Sequence, residues 1–250
     1  MAGSRGAGSA GTAGAEPERE PAAAGTATGH KVRWPVVPRR PKPPPPTLAL
    51  FVRHGRTPTT GKVLPGRAPG LHLAEEGRAQ AEAVAERLAV LKKVDAIYSS
   101  PLERTRETAS PIGRRLQLKV RTDKGLLECD FGDWTGAELK ALNKLPEWRG
   151  VQRHPSGFRF PGGESFREMQ TRIATTLGKL RARHPGQTVV LVSHADPIKM
   201  AVADAAGTHL DLFQRIVISP CSVTAIGYAD AGPYLLTVNS TSDLTELKVS

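Results

Sequence analysis

The sequence predicts an α/β fold: a three-layer α/β/α sandwich built on a mostly parallel sheet with an antiparallel edge strand. Short, nearly continuous apolar segments alternate with longer segments whose apolar residues recur at helical spacing, which favours parallel strands covered on both faces. Near the carboxyl end, the apolar segments 223–228 and 234–239 are separated only by the turn sequence ADAGP. This pattern predicts a hairpin, which supplies the antiparallel edge.

The first half of the domain contains two strand–helix units. LALFV (48–52) predicts a strand, and a Gly/Pro-rich loop over 61–70 leads to a helix over about 74–91, with Val84 and Leu88 on its apolar face. DAIYSS (95–100) predicts a second strand. The next segment, 101–116, predicts a helix opened by Pro101, and LKVRT (118–122) predicts a third strand.

The second half begins with an insertion and returns to the same alternation. A loop-rich segment over roughly 123–163 is expected to hold one or two short helices. The segment 164–183 predicts a helix with Phe166, Met169 and Ile173 on one face. A continuous apolar strand, TVVLV, then runs towards His194, and the following helix is predicted to begin at Pro197.

Residues 1–46 have a different composition from the rest of the chain. They contain 9 Ala, 7 Gly and 9 Pro and end in PRRPKPPPP, a sequence that cannot bury apolar surface. We therefore expect a disordered extension over 1–46 and a single domain over 47–250. The extension lacks the apolar core of a signal peptide.

Charge and cysteine content limit the functional classes. The net charge is +11, but the basic residues of the domain are interleaved with glutamate, as in EEGRAQAEAVAERL, so we expect no nucleic-acid partner. No apolar segment approaches the roughly 18 residues of a membrane span, and two cysteines suit a reducing compartment. These features predict a cytoplasmic protein without a membrane partner, and they leave its oligomeric state open.

The first strand ends in residues that a protein core does not require. Arg53, His54 and Gly55 directly follow the apolar segment, and a second apolar strand ends in the same way at His194. Ligands of open α/β sheets bind beyond the carboxyl ends of strands. Either histidine alone is more often structural, but the matching contexts predict that both imidazoles lie in one pocket.

Arginines accompany this histidine pair. Arg104 lies at the start of the helix that follows DAIYSS, at another strand's carboxyl edge, and Arg53 precedes His54. Guanidinium groups bind phosphate oxygens in a bidentate manner, and Gly55 allows close approach of backbone to a ligand. The set predicts a site for a tetrahedral dianion with a neutral imidazole able to attack it.

Four segments extend this interpretation to a family. RHGRTPTT, SSPLERTRETA, LLECDFGDWTG and VSHADP resemble, in this order, the signature segments of the histidine phosphatase superfamily, in its phosphoglycerate-mutase-like branch. The resemblance covers residues 48 to about 239. It implies a metal-independent phosphomonoester hydrolase that acts on a small phosphorylated metabolite through a phosphohistidine.

The resemblance also implies roles for individual residues. His54 is expected to be the nucleophile, and Glu128 the proton donor to the leaving oxygen. Arg53 and Arg104 are expected to hold the phosphoryl oxygens, with His194 as a further donor to them. On physical grounds, the two arginines and a protonated His194 would neutralise the charge on these oxygens without a metal. Metal and cofactor are not expected, because no carboxylate cluster or Cys/His set has metal-ligand spacing.

Two departures from the family pattern bear on the site. Thr60 stands where the family often has asparagine near the phosphate, and it keeps one donor. Ala195 and Asp196 follow His194 where the family often has two glycines. Asp196 either points into the anion site, weakening phosphate binding or holding His194 protonated, or caps the helix at Pro197. The cap is the favoured interpretation.

Two other functions remain open. A phosphomutase of the phosphoglycerate-mutase type must bind a second acidic group, and the insertion over 137–165 carries Arg149, Arg153 and Arg159 but does not match the mutase pattern. A catalytically idle module that recognises phosphorylated partners is the alternative of a different class. Phosphatase is favoured over the mutase because the insertion does not match the mutase pattern. It is favoured over the idle module because all the residues that catalysis needs are present.

Overall fold

The computed structural model describes residues 44–242, and these residues form a six-stranded mixed sheet flanked by helices. The strands are β1 (Thr47–Arg53), β2 (Ala96–Ser99), β3 (Val120–Thr122), β4 (Thr188–Ser193), β5 (Val223–Ala229) and β6 (Gly232–Ser240). The helices are α1 (Glu75–Ala89), α2 (Glu103–Leu116), α3 (Leu139–Leu142), α4 (Trp148–Arg153), α5 (Phe166–Arg183) and α6 (Ala195–Ala205). The predicted α/β sandwich is confirmed.

The sheet has the strand order β3-β2-β4-β1-β5-β6. β1 pairs in parallel with β4, and β2 pairs in parallel with both β4 and β3. β5 and β6 form the predicted hairpin, and β5 pairs antiparallel with β1. The three strands that end near the candidate site are therefore adjacent, in the order β2-β4-β1, and their carboxyl ends meet at one edge of the sheet.

β1 contributes to the hydrophobic cores on both faces of the sheet. Leu48 and Leu50 pack in a core with residues of α1 and α2, such as Leu88. Ala49 and Phe51, which alternate with them, pack in the other core with residues of α5 and α6. Because side chains of a strand alternate between faces, a continuous apolar segment is what a strand covered on both sides requires.

The structure differs from the prediction at the starts of two helices. α2 begins at Glu103, two residues after Pro101, and α6 begins at Ala195, directly after His194, and not at Pro197. The insertion holds two short helices, α3 and α4, as expected. Most of the predicted extension over 1–46 lies outside the described residues. Within residues 44–242, no helix is both long and apolar enough to span a membrane.

Gly77 in α1 lies directly against the loop that follows β1. A Cβ atom at Gly77 would overlap the carbonyl oxygen of Arg56, and a Cβ atom at Gly55 would overlap the carbonyl oxygen of Gly77. Two glycines thus let α1 approach the backbone next to His54, and a side chain at either position would force the two segments apart.

We expect Gly77→Ala to destabilise the domain by about 2–3 kcal/mol, because overpacking against backbone cannot be relieved by a rotamer change. For a domain of this size, that loss lowers Tm by roughly 5–10 °C in thermal unfolding. Gly178→Ala is the matched control, since Gly178 lies in α5 with open space around it. It is expected to be neutral or slightly stabilising; equal melting temperatures for the two variants would contradict the close approach.

Candidate active site

The register between β1 and β4 brings the two histidines together. Arg53 pairs with Ser193, and the backbone N–H of His54 donates to the carbonyl oxygen of Ser193 over 3.0 Å. The next residue on each strand is a histidine, and the ring centroids of His54 and His194 are 5.2 Å apart. The two imidazoles that the sequence places at separate strand ends are therefore in contact.

The ring of His54 has a defined tautomer. Its Nδ1 is 2.8 Å from the carbonyl oxygen of Gly55, which can only accept, so Nδ1 carries the hydrogen and Nε2 keeps its lone pair. Burial and the charges of Arg104 and Arg53 hold the pKa of His54 well below its usual value. The ring is neutral at physiological pH, and Nε2 is a free nucleophilic atom.

The physical causes that lower the pKa of His54 also act on His194, and they disfavour the protonated ring that the sequence interpretation expected. His194 is fully buried, and burial, together with the charge of Arg104, holds its pKa well below the usual value. Its Nε2 lies 2.9 Å from Oγ of Ser100. Cations that surround a buried imidazole disfavour a further positive charge on it.

Arg104 is buried and Arg53 is half-buried, and both guanidinium groups are only partly paired. Arg53 donates one hydrogen bond to the carbonyl oxygen of Ile218 at 2.6 Å, and Arg104 donates one to that of Gly66 at 2.7 Å. Among residues 44–242, no partner is found for Nε of Arg53, Nε and Nη1 of Arg104, or Nδ1 of His194. Buried polar atoms are costly to leave unpaired, so these nitrogens indicate a site for an anionic, oxygen-rich ligand.

Glu128 carries a buried carboxyl group, and it lines a cavity that Arg53 and His54 also line. Its Oε1 accepts from the backbone N–H of Cys129 at 2.9 Å. Burial and the nearby charge of Asp196 raise the pKa of Glu128 to about 7, although Arg104 and Arg53 oppose this shift. A large fraction of molecules therefore carries a protonated Glu128 at neutral pH, as a proton donor requires.

Asp196 does not cap a helix, and the favoured interpretation from the sequence is wrong. Since α6 already begins at Ala195, Asp196 lies within its first turn, and it borders the cavity. Its Oδ1 accepts from Nζ of Lys199 at 3.2 Å, and the same Nζ donates to Oε1 of Gln214 at 2.9 Å. Its negative charge acts on Glu128 and does not keep His194 protonated.

Of the two other predicted substrate-binding residues, Thr60 lines the cavity and Gly55 does not. Thr60 borders the cavity, and its hydroxyl accepts from the backbone N–H of Thr57 at 2.8 Å. Gly55 is not among the residues that line the cavity; its N–H donates to Oγ1 of Thr108 at 3.0 Å. The close approach that Gly55 permits is to Gly77 of α1, so the expected approach to a ligand is corrected.

Thr57 also borders the cavity, although the sequence analysis did not single it out. It is buried, and its hydroxyl is 3.0 Å from that of Thr60. Its position three residues after His54, within the segment RHGRTPTT, is the feature of the sequence that could have identified it as a site residue.

A network that the sequence did not reveal holds the loop of Glu128. Nε of Arg67 donates to the carbonyl oxygen of Glu128 at 2.9 Å, and Nη1 of Arg172 donates to the carbonyl oxygens of Gly125 and Leu127, both at 2.9 Å. Both guanidinium groups also bind the carboxylate of Glu164. Two arginines from distant segments thus fix the backbone that carries the carboxyl group.

The cavity has a volume of about 370 Å³ and a mixed lining. Its polar and charged lining residues include Arg53, His54, Thr57, Thr60, Glu128 and Asp196. The remainder is bordered mainly by apolar side chains, which are Val63, Leu64, Pro65, Phe131, Leu139, Ile216, Val217 and Ile218, together with the polar residues Lys199 and Gln214. Within residues 44–242 no group of three or more His, Cys, Asp or Glu side chains is arranged to hold a metal ion.

Comparison with known proteins gives a consistent family. The family model described as the histidine phosphatase superfamily (branch 1) matches residues 49–241. Phosphoserine phosphatase 1 of Hydrogenobacter thermophilus is 34% identical over 189 residues, covering 74% of this chain and 89% of that protein. The probable phosphoglycerate mutase GpmB of Cronobacter sakazakii is 30% identical, covering 79% of this chain and 93% of its own.

A solved structure agrees with these relatives. Mycobacterial glucosyl-3-phosphoglycerate phosphatase superposes with a TM-score of 0.70 at 26% sequence identity, and the match covers 78% of this chain and 99% of that chain.

Proposed function

Because the chain belongs to the histidine phosphatase superfamily, we propose that it hydrolyses a small phosphomonoester through a phosphohistidine formed on His54. The phosphomonoester hydrolase class predicted from the sequence is confirmed by the family and by the phosphatases among its relatives. Beyond this class, we propose the phosphohistidine intermediate, the roles of single residues and the kind of substrate.

The hydrogen bond between Nδ1 of His54 and the carbonyl oxygen of Gly55 is the observation that carries the proposal. It leaves the Nε2 lone pair as the nucleophile, and the lowered pKa of His54 keeps that lone pair free of a proton. A structural histidine does not need a free, neutral nitrogen beside two partly paired arginines.

The unpaired nitrogens supply the electrostatic part of the mechanism. Phosphoryl transfer depends mainly on positioning and on neutralising charge on the equatorial oxygens. Arg53 and Arg104 each offer unpaired N–H groups for these oxygens. When the Ser100 hydroxyl donates to Nε2 of His194, the Nδ1–H of that ring becomes a further, neutral donor.

Glu128 serves both halves of the reaction. In the first half, Nε2 of His54 attacks phosphorus, the P–O ester bond breaks, and Glu128 gives its proton to the departing alkoxide. In the second half, the Glu128 carboxylate takes a proton from water, the water oxygen attacks phosphorus, and the P–N bond breaks. Inorganic phosphate leaves, and both groups return to their starting protonation states.

Hydrolysis is better supported than a mutase reaction. A mutase must bind a second acidic group, but Lys199 in the cavity is already paired with Asp196, and Arg149, Arg153 and Arg159 are not among the cavity's lining residues. Arg159 instead pairs with Glu168. A small phosphomonoester therefore fits the cavity better than one with a second anionic group near the phosphate. We also propose a cytoplasmic location, consistent with two buried, unbridged cysteines.

The phosphohistidine has a direct chemical test. After mixing with a ³²P-labelled aryl phosphate and quenching within milliseconds, the wild-type protein is expected to carry label that survives alkali and is lost in acid, because a P–N bond is acid-labile. His54→Ala is expected to carry none. Label that survives acid and is lost in alkali would point to a serine ester and would contradict the proposal.

A further inference from the structure

The loop over 216–222, which precedes β5, holds Arg53 in place. Nη1 of Arg53 donates to the carbonyl oxygen of Ile218 at 2.6 Å, and the backbone N–H of Cys221 donates to the carbonyl oxygen of Arg53 at 3.0 Å. Ile218 lines the same cavity as Arg53. The position of this loop therefore decides where the guanidinium group of Arg53 lies.

A side chain of β6 in turn holds the loop. Oδ1 of Asn239 accepts from the backbone N–H of Ser219 at 2.6 Å. The N–H of Ser219 and the carbonyl group of Ile218 belong to one planar peptide group. Asn239 and Arg53 thus bind the two sides of the same peptide group, and the orientation of its plane sets the direction in which the carbonyl oxygen meets Arg53.

The backbone of β6 is irregular at Asn239. Its φ is 58°, in the left-handed region that asparagine tolerates better than most residues, and its N–H donates to Oγ1 of Thr224 at 3.1 Å. The pairing of β5 with β6 shifts register between Val223 and Ala225, where β6 contains one extra residue. Bulges of this kind redirect a side chain. Here the redirected side chain is the one that binds the loop.

We propose that Asn239 is a positioning residue for phosphoryl transfer: it fixes the peptide group between Ile218 and Ser219, which directs the guanidinium group of Arg53 towards the phosphoryl oxygens. The inference rests on the proposed function, because it takes Arg53 to bind the phosphoryl group. Asn239 does not line the cavity, so it acts through Arg53. The hydrogen bond from Ser219 also polarises the peptide group and strengthens its carbonyl oxygen as an acceptor.

Asn239→Gly tests the role of the side chain, because glycine adopts a positive φ without strain and the variant is expected to fold. Its kcat/KM for p-nitrophenyl phosphate is expected to fall about threefold to thirtyfold, less than the roughly 10²-fold that a misplacement of about 1 Å can cost. Gln117→Gly is the matched control, since Gln117 has a φ of 55° at an exposed position after α2. It is expected to keep the wild-type kcat/KM.

Asn239→Asp shows whether the acceptor oxygen is what matters. Aspartate keeps an oxygen at this position and tolerates the left-handed conformation, so its kcat/KM is expected to stay close to the wild-type value. A loss equal to that of Asn239→Gly would overturn the inference. Thermal unfolding of each variant verifies that the compared proteins are folded.

The same glycine substitution in an Arg53→Ala protein separates positioning from a general loss of structure. Without the guanidinium group, Asn239→Gly is expected to change kcat/KM by less than about twofold, because the two substitutions remove one interaction. A loss as large in Arg53→Ala as in the wild type, or no loss in either, would overturn the positioning role and leave the proposed function intact.

Binding of inorganic phosphate, measured by calorimetry, tests Asn239 without turnover. Asn239→Gly is expected to bind phosphate more weakly than the wild type does, because Arg53 is less well directed. Equal affinities would overturn the positioning role. A wild-type protein that binds phosphate but hydrolyses no ester would overturn the proposed function, and the difference in phosphate affinity would still decide whether Asn239 positions Arg53.

Discussion

His54→Ala is expected to abolish turnover of p-nitrophenyl phosphate, with a loss of at least roughly 10³-fold in kcat, because the attacking nitrogen is removed. Arg53 and Arg104 remain in the variant with their unpaired N–H groups. It is therefore expected to keep binding inorganic phosphate, measured by calorimetry, while it no longer transfers the phosphoryl group. This separation of binding from turnover distinguishes a nucleophile from a residue that only shapes the pocket.

His72→Ala is the matched control for the loss of an imidazole. His72 is exposed and pairs with Glu107 at the surface, so we expect turnover close to that of the wild type. A wild-type protein that binds phosphate but shows no turnover over a wide pH range would favour the idle recognition module. Turnover retained by His54→Ala would remove His54 from the nucleophile role.

The sheet and the histidine pair were predictable because both depend on local patterns. Continuous apolar segments indicate strands that are covered on both faces. The residue that follows such a strand lies at the edge of the sheet where the strand ends, and parallel strands end at the same edge. Once β1 and β4 were expected to be parallel, His54 and His194 had to lie at one edge. Their contact also requires that β1 and β4 be neighbours, which the sequence did not predict and which the pairing of Arg53 with Ser193 shows.

The electrostatic details were not predictable, because they depend on burial and on distant segments. The pKa of His194 is low because the ring is buried and because Arg104 lies near it, and no spacing in VSHADP reveals either cause. The structure begins α6 at Ala195, two residues before the predicted start at Pro197. Asp196 therefore lies in the first turn of the helix and borders the cavity, whereas the sequence predicted a helix cap. Arg67, Glu164 and Arg172 join the Glu128 loop from separate parts of the chain.

Glu128→Gln is expected to reduce kcat/KM for alkyl phosphates by about 10²–10⁴-fold, since an alkoxide is a poor leaving group without a proton. Aryl phosphates, whose phenolate leaves unaided, are expected to lose far less. The measurement is the ratio of the two losses. Glu82→Gln, at an exposed position paired with Arg114, serves as control and is expected to change neither substrate's rate. Equal losses on alkyl and aryl esters would exclude Glu128 as the proton donor.

The pH profile tests the same role independently. The acid must be protonated to act, so its raised pKa of about 7 keeps alkyl-phosphate turnover high below pH 7 and lets it fall as the pH rises above that value. The fall approaches about tenfold per pH unit well above the pKa. Glu128→Gln cannot lose a proton, so this decline at high pH is expected to be absent from its residual activity.

Asp196→Asn removes a negative charge that acts on Glu128 and leaves the Glu128 carboxyl group in place. The charge of Asp196 is one of the two causes that raise the pKa of Glu128, so its removal is expected to move the decline to lower pH while the proton donor stays in place. Activity measured well below both pKa values should then differ little between the variant and the wild type, and the difference should grow towards neutral pH. A decline at an unchanged pH would mean that another group controls it, because Glu128 cannot lose a neighbouring negative charge and keep the same proton affinity.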